Sequence, residues 1–197
     1  MSELQSEKTI VLVKPDGVAR GLVGEVITRF ERVGLKIVGL KMVWADEGFV
    51  QKHYPDSRVD LLRGIGEKTL ATYEKYGKDP NEELGTKDAL EIGRLVNKWN
   101  IGFISSGPVV AILLQGVHAI DNVRQMVGNT LPVFAEPGTI RGDYSIDSPA
   151  LANSKKRTVK NIVHASGNAE EAKYEEELWF HKDEIHDYQR GDEHIMF

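Results

Sequence analysis

The residues best suited to chemistry lie in the run Lys160-Asn161-Ile162-Val163-His164-Ala165-Ser166-Gly167-Asn168. A histidine stands between a short apolar run and a small-residue turn, ahead of a strongly charged helical pattern. That spacing puts His164 where a strand ends and a helix is about to begin. Its imidazole can face a ligand while its backbone stays fixed. A side chain with an ordinary pKa of about 6.5 is mostly neutral at pH 7 and can act as a nucleophile. Attack of a neutral ring nitrogen on phosphorus gives a phosphohistidine. Such an attack needs cations around the phosphates, because charge spreads over the phosphoryl oxygens in flight. The candidates are Lys14, Arg124 and Thr130, and Arg141 in the turn Gly138-Thr139-Ile140-Arg141-Gly142-Asp143. Each has a plainer reading when taken alone: a strand-end lysine, a helix-surface arginine, a loop ion pair of Arg141 with Asp143. There is no G-x-x-x-x-G-K-[ST] loop and no strand-bound G-x-G-x-x-G, so bound phosphates must be held by side chains.

The elements that must position these groups are legible as patterns. Thr9 to Val13 is β-branched and apolar and reads as a buried strand ending in the turn Lys14-Pro15-Asp16-Gly17. Leu22, Val23, Val26, Ile27, Phe30 and Val33 recur at helical spacing, with Gly34 as a stop. Leu35 to Trp44 reads as a second strand. Asp46 to Tyr54 reads as a short helix with Asp46 as its N-cap, broken by Pro55. Residues 58–102 carry two polar helical patterns, Val59 to Tyr76 and Glu83 to Trp99, around the turn Gly77-Lys78-Asp79-Pro80. The plain reading is an extra helical hairpin on the surface. Pro108 to Leu114 is a third strand, Ala119 to Val127 a third helix, and Leu131 to Tyr144 a long ordered loop. Residues 147–157 are polar; their Lys155-Lys156-Arg157 run is a solvated face or a source of positive field near a phosphate. Asn168 to Glu177 is a charged helix, Leu178-Trp179-Phe180 a last short strand, and the tail from His181 is polar. This order predicts an α+β fold, the ferredoxin-like split-βαβ plan, with an antiparallel sheet and helices on one face. Many functions share that plan.

Composition narrows the field. The 197 residues suit a single domain, 1–197, with insertions at about 58–102 and 147–157. Hydrophobic residues make up 41%, enough for a core. The net charge of -5 argues against a nucleic-acid partner. The absence of cysteine excludes disulfides, zinc thiolates and thiol catalysis. The longest apolar run, Val109 to Leu114, is too short to span a bilayer, and Met1 to Lys8 lacks the apolar core of a signal peptide. No membrane association and a cytoplasmic location are expected.

Six ordered motifs then converge. Val13-Lys14-Pro15-Asp16-Gly17-Val18 with Arg20-Gly21, Ser106-Gly107-Pro108-Val109-Val110, and Arg124-Gln125-Met126-Val127-Gly128-Asn129-Thr130 come first. Pro137 to Asp143, Asn161-Ile162-Val163-His164 with Ser166, and Glu175 with Leu178-Trp179-Phe180 follow. Together the chain resembles the nucleoside diphosphate kinase family. The resemblance implies ping-pong transfer of a γ-phosphoryl group from a nucleoside triphosphate such as ATP to a nucleoside diphosphate, through a phosphohistidine at His164. It implies that Glu175 hydrogen-bonds the other ring nitrogen, that Tyr54 backs the histidine and that Ser166 lies close to it. It gives the phosphates to Lys14, Arg124, Thr130 and Arg141, and the ribose hydroxyls to Asn161 and Lys14. Mg²⁺ is expected to bridge the phosphates rather than sit in a protein cage. His181 and His186 with Asp183 and Glu184 read more simply as a solvated tail than as metal ligands. The family forms hexamers, tetramers and occasionally dimers, so a homo-oligomer is expected.

The chain departs from the family pattern at three places. The usual H-G-S-D-S becomes His164-Ala165-Ser166-Gly167-Asn168, with Asn168 left to cap the next helix. Thr158 stands where the family has an apolar residue against the base. The aromatic residue that stacks on the base is not identifiable, and Leu61, Leu62 and Tyr73 all compete for its place. These changes are what an alternative reading has to stand on, a catalytically inactive nucleotide-binding module on the same fold. An RNA-recognition sheet is excluded by the missing aromatic stacking pattern and the acidic charge.

Overall fold

The computed structural model describes residues 6–196. Among them, four strands form one sheet: β1 (Glu7–Val13), β2 (Lys36–Val43), β3 (Val109–Gly116) and β4 (Val163–Ala165). The order is β2-β3-β1-β4, and every neighbouring pair is antiparallel. The helices are α1 (Pro15–Ala19), α2 (Val23–Arg32), α3 (Glu47–His53), α4 (Val59–Lys75), α5 (Pro80–Leu84), α6 (Ala89–Ser105), α7 (Ala119–Val127), α8 (Ile140–Tyr144), α9 (Pro149–Ser154) and α10 (Ala169–Trp179), with a final short turn at Glu193–Met196. No helix among the described residues is long and apolar enough to cross a membrane.

The split-βαβ helices α2 and α7 cover one face of the sheet, packing Val26, Phe30 and Val123 against Val11, Val13 and Ile112. Helices outside that plan cover the other face, where Val50, Ile101, Ile104 and Trp179 pack on Ile10, Leu12 and Leu113. Burial on both faces explains why β1 and β3 read as unbroken apolar runs rather than alternating ones.

Several elements differ from their sequence reading. Leu178 and Trp179 are the last residues of α10, not a strand, and Phe180 pairs with no strand; its ring instead fills the space left by Gly39. The expected helix from Glu83 to Trp99 is two helices. Gly85, at φ 75°, ends α5, and the Asp88 side chain caps α6, which runs on to Ser105. The loop 131–144 contains a 3₁₀ turn at Pro132–Phe134 and α8, capped by Thr139. Ser148 likewise caps α9 inside the polar segment. The tail leaves most of its side chains exposed, His181, Asp183 and His186 among them, while its backbone runs along β2. His186 N–H donates to the Val38 carbonyl at 2.8 Å, Arg190 to that of Leu35 at 3.1 Å, and Lys41 pairs with Glu184 at 2.6 Å.

Candidate active site

A cleft of about 770 Å³ opens between the β4 end of the sheet and helix α4. Its floor begins with a strained turn. Ile162 has φ 70°, and Val163 N–H donates to the Asn161 carbonyl at 2.7 Å. A turn of that sign is rare and strained, and in a β-branched residue it costs about 1–3 kcal/mol. Lys14 and the start of α1, a helix where the sequence reads as a turn, hold it on both sides. Ile162 N–H donates to Asp16 Oδ2 at 3.0 Å, and Lys14 N–H to the Ile162 carbonyl at 2.8 Å. Gly17 permits the approach, since a Cβ there would lie 3.1 Å from both the Ile162 carbonyl oxygen and its Cγ2. The first motif thus clamps the strand that carries His164, whose backbone lies opposite Leu12 of β1.

His164 Nε2 lies 2.9 and 3.0 Å from the two carboxylate oxygens of Glu175, reaching up from α10. Ser166 Oγ donates to Glu175 Oε2 at 2.7 Å and accepts Ile10 N–H at 3.2 Å, which ties the carboxylate to β1. Burial pushes the Glu175 pKa up, but the charge and hydrogen bond of His164, then His53 and Ser166, outweigh it and hold the pKa at about 2. An ionised carboxylate accepts only, so Nε2 of His164 carries hydrogen and Nδ1 is the ring's free nitrogen. Behind the pair sits His53, the last residue of α3, which the sequence did not single out. Its ring stands edge-on to His164 with centroids 4.5 Å apart, and its Nδ1 accepts Trp179 Nε1–H at 3.2 Å. Burial first, then the His164 charge, lowers its pKa to about 3, so it is neutral. Tyr54 packs edge-on to His53 at 4.4 Å and lies 6.1 Å from the His164 ring. Burial and the nearby Glu175 raise its hydroxyl pKa.

The cations differ in how firmly they are held. Lys14 is buried, and its ammonium donates to Asn161 Oδ1, while Asn161 Nδ2 donates to the Thr130 carbonyl at 2.7 Å. Burial, with Arg141 nearby and partly offset by Asp16, lowers the Lys14 pKa to about 8. Arg141 is also buried and donates to the carbonyls of Gly128 at 2.7 Å and Val163 at 2.9 Å. The expected ion pair of Arg141 with Asp143 is not formed; Asp143 pairs with Arg29 at 2.5 Å. Arg124 and Thr130 line the cleft as exposed residues. Thr158 also lines it, with its hydroxyl donating to Asn100 Oδ1. Arg157 gives no free field, because it pairs with Asp147 at 2.5 Å.

The helical hairpin is not a surface bystander. Leu61, Ile65, Lys68, Thr72 and Lys75 lie at helical spacing on one face of α4, and that face roofs the cleft. Its back packs on α6 with backbones in contact. A Cβ on Gly93 would lie 1.9 Å from the Leu62 carbonyl oxygen, and one on Gly66 1.7 Å from that of Ala89. Of the three candidates for the base wall, Leu62 and Tyr73 are buried in this hairpin and Leu61 faces the cleft. Lys75 reaches across to sit 4.1 Å from the centre of the Phe134 ring. At the other end, Arg58 pairs with Glu171 of α10 at 2.6 Å.

The sequence matches the family model for nucleoside diphosphate kinase over residues 7–60 and 93–185. The chain belongs to the nucleoside diphosphate kinase family. A nucleoside diphosphate kinase of Pyrobaculum aerophilum is 49% identical over 179 residues, 91% of this chain and 97% of that protein. The crystal structure of an NDP kinase from Pyrobaculum aerophilum superimposes with a TM-score of 0.88 at 46% identity, covering 92% of this chain and all 100% of that one. A nucleoside-diphosphate kinase from Borrelia burgdorferi, solved as a transition-state mimic with vanadate and ADP, gives 0.77 at 38% identity, covering 97% and 96%. These relatives are kinases, which gives the inactive-module alternative no support. Residues 61–92, outside the matched segments, hold most of α4, α5 and the start of α6. The floor of the site therefore lies in the segments that match the family model, and most of the roof lies between them.

Proposed function

We propose that His164 Nδ1 carries the phosphoryl group in a ping-pong exchange between nucleoside triphosphates and diphosphates. The observation that carries this reading is the Nε2 contact with Glu175, which leaves Nδ1 as the free nitrogen of a ring that lines the cleft. In the first half-reaction Nδ1 bonds to the γ-phosphorus. The bond from that phosphorus to the bridging oxygen breaks, and the diphosphate leaves with the electron pair. The ring becomes cationic, and Glu175 offsets that charge without taking the proton. The second half-reaction is the reverse, with another diphosphate as the acceptor. Arg124, Thr130, Arg141 and Lys14 surround the phosphates, and Asn161 with Lys14 meets the ribose hydroxyls.

Mg²⁺ would enter with the nucleotide and offset the charge of phosphates that Lys14, Arg124 and Arg141 would also hold. The cluster His53, His164 and Glu175 has the reach of a metal site, but two ring nitrogens and one carboxylate suit a softer ion than Mg²⁺, which takes oxygen ligands. Leu61 and Ile65 supply an aliphatic wall for the base, with Thr158 also lining the cleft. These two aliphatic side chains make no hydrogen bond to a base edge, which favours broad base tolerance. Self-association finds support in Leu40, Met42 and Trp44, exposed along and just beyond edge strand β2.

The test is transfer of labelled γ-phosphate from ATP to GDP with Mg²⁺, by the wild type and by His164→Ala. The expected result is rapid transfer and an acid-labile label on the wild-type protein, both absent from the variant. Well-folded wild type that neither transfers nor becomes labelled would overturn the reading.

A further inference from the structure

Position 167 is where the family motif carries an aspartate and this chain has glycine. The vacant volume is filled from the next helical turn. A Cβ on Gly167 would lie 2.5 Å from Glu171 Oε2 and 3.7 Å from Arg124 Nη1. Glu171 Oε2 accepts Gly167 N–H at 2.8 Å, and Oε1 accepts Arg58 Nη2–H at 2.6 Å. Glu171 therefore stands among backbone and guanidinium donors at the rim of the cleft, beside the arginine the motif gives to the phosphates. Arg58, Arg124, Glu171 and His164 all line the same cavity.

We propose that Arg58 is a phosphate-binding residue of this kinase and that Glu171 competes with the nucleotide for it. The proposal rests on the nucleotide reading above and adds to it a ligand that none of the motifs contains. A guanidinium recognises a carboxylate and a phosphate with the same forked donors, so one replaces the other without new geometry. The exchange is easy on the side of the protein. The Arg58 side chain is 39% exposed and Glu171 is its one side-chain partner among the described residues. An ion pair that open to water is weak, whereas a charge-assisted bond to a multiply charged phosphate is among the stronger ones. Arg58 also sits at the N-cap of α4, so a rotation of its side chain leaves both α4 and the floor in place. In the free enzyme Glu171 stands in for the phosphate; with nucleotide bound, its charge opposes the ligand it has released Arg58 to hold.

Two variants decide the matter by the sign of their effects. If Arg58 binds phosphate, Arg58→Gln raises KM for ATP and for GDP on the order of tenfold, the worth of one charge-assisted hydrogen bond. Glu171→Gln keeps an acceptor for Gly167 N–H but frees Arg58 and removes a negative charge, so KM falls. Arg58→Lys recovers part of the loss seen in Arg58→Gln. If the pair is only a brace between α4 and α10, both glutamine variants break the same contact and move KM in the same direction, which overturns the proposal. An unchanged KM in Arg58→Gln also overturns it. Each variant is checked by thermal unfolding and by acid-labile labelling of His164 at saturating ATP. Wild type that fails to label would instead refute the kinase reading, so the two failures are distinguishable.

Discussion

The floor of the cleft holds its polar groups on buried backbone, whereas the roof presents side chains along one face of a single helix. Lys14, Asn161, Arg141, Ser166 and Glu175 are all buried, and each is hydrogen-bonded to another member of the site or to a main-chain atom beside it. Leu61 and the cleft-facing residues of α4 have far fewer ties; Leu61 is 43% exposed. Groups aimed at developing charge must be fixed before the reaction, because reorienting them during it costs free energy. A base that undergoes no chemistry needs only surface to lie against. The contrast coincides with the boundary of the family-model match. The floor lies in the segments that match the family, and the roof lies largely in 61–92.

The most damaging test of the floor is Glu175→Gln. If the carboxylate acts by orienting the ring and offsetting its charge, kcat falls about 100-fold while KM moves little. A rise in KM with kcat preserved would mean that the floor, like the roof, works mainly by binding. The same carboxylate has a stability signature. Its folded pKa of about 2 lies below the ordinary value, so its contribution is complete above about 4.5 and is lost as pH falls toward 2. Acid titration by circular dichroism should show the wild type losing more stability across that window than Glu175→Gln.

Lys14 sharpens the comparison by pH instead of by deletion. Its pKa of about 8 means that the free enzyme loses this charge above pH 8, and kcat/KM falls by up to tenfold for each further pH unit. Lys14→Gln has a lower plateau and lacks that limb. Below pH 8 the ammonium is charged in both the folded and unfolded states, and its burial cost is constant. Between about 8 and 10.5 the folded state binds fewer protons, so the cost shrinks as pH rises. The stability advantage of Lys14→Gln over wild type should therefore narrow through that window in urea titrations.

The floor was legible because its parts are written in short contiguous runs. The Lys-Pro-Asp-Gly run that ends β1, the run from Asn161 to His164 and the Asn168 cap each declare themselves within a few residues, although the helix at Pro15 and the strained turn at Ile162 do not. What could not be read locally was any group whose meaning depends on a distant partner. His53 looks like an ordinary helix-end histidine, and its indole partner Trp179 is 126 positions away. Glu171 is one of several acids on α10, and only the space left by Gly167 distinguishes it. Leu61 and Leu62 are adjacent in sequence but point about 100° apart on a helix. Choosing between them requires knowing that α6 approaches on the Leu62 side. Phe180 misled for a related reason, since an aromatic-rich end to a helix has the composition of a short strand.

The roof can be loosened as a body through its glycine contact. In Gly93→Ala, the methyl group meets the Leu62 carbonyl at 1.9 Å, so α4 and α6 must separate. Overpacking of this kind costs about 1–3 kcal/mol. We expect a lower unfolding midpoint and a several-fold higher KM, with labelling of His164 at saturating ATP retained. A loss of labelling would show that roof and floor are mechanically one unit.

The smallest effect isolates the wall itself. Leu61→Ala removes apolar surface that is already half in water, so only part of a full leucine burial, about 1.5–3 kcal/mol, is at stake when a base covers it. KM should rise about threefold, nearly equally for adenine, guanine and cytosine nucleotides, because the removed surface makes no hydrogen bond that could tell them apart. Leu61→Phe should lower KM by stacking on the base, again without discrimination. A base-dependent response in either variant would place a polar reader on the roof. Thr69, Thr72 and Lys68 would then be the groups to remove next, since they share the cleft with Leu61 and carry the donors and acceptors it lacks.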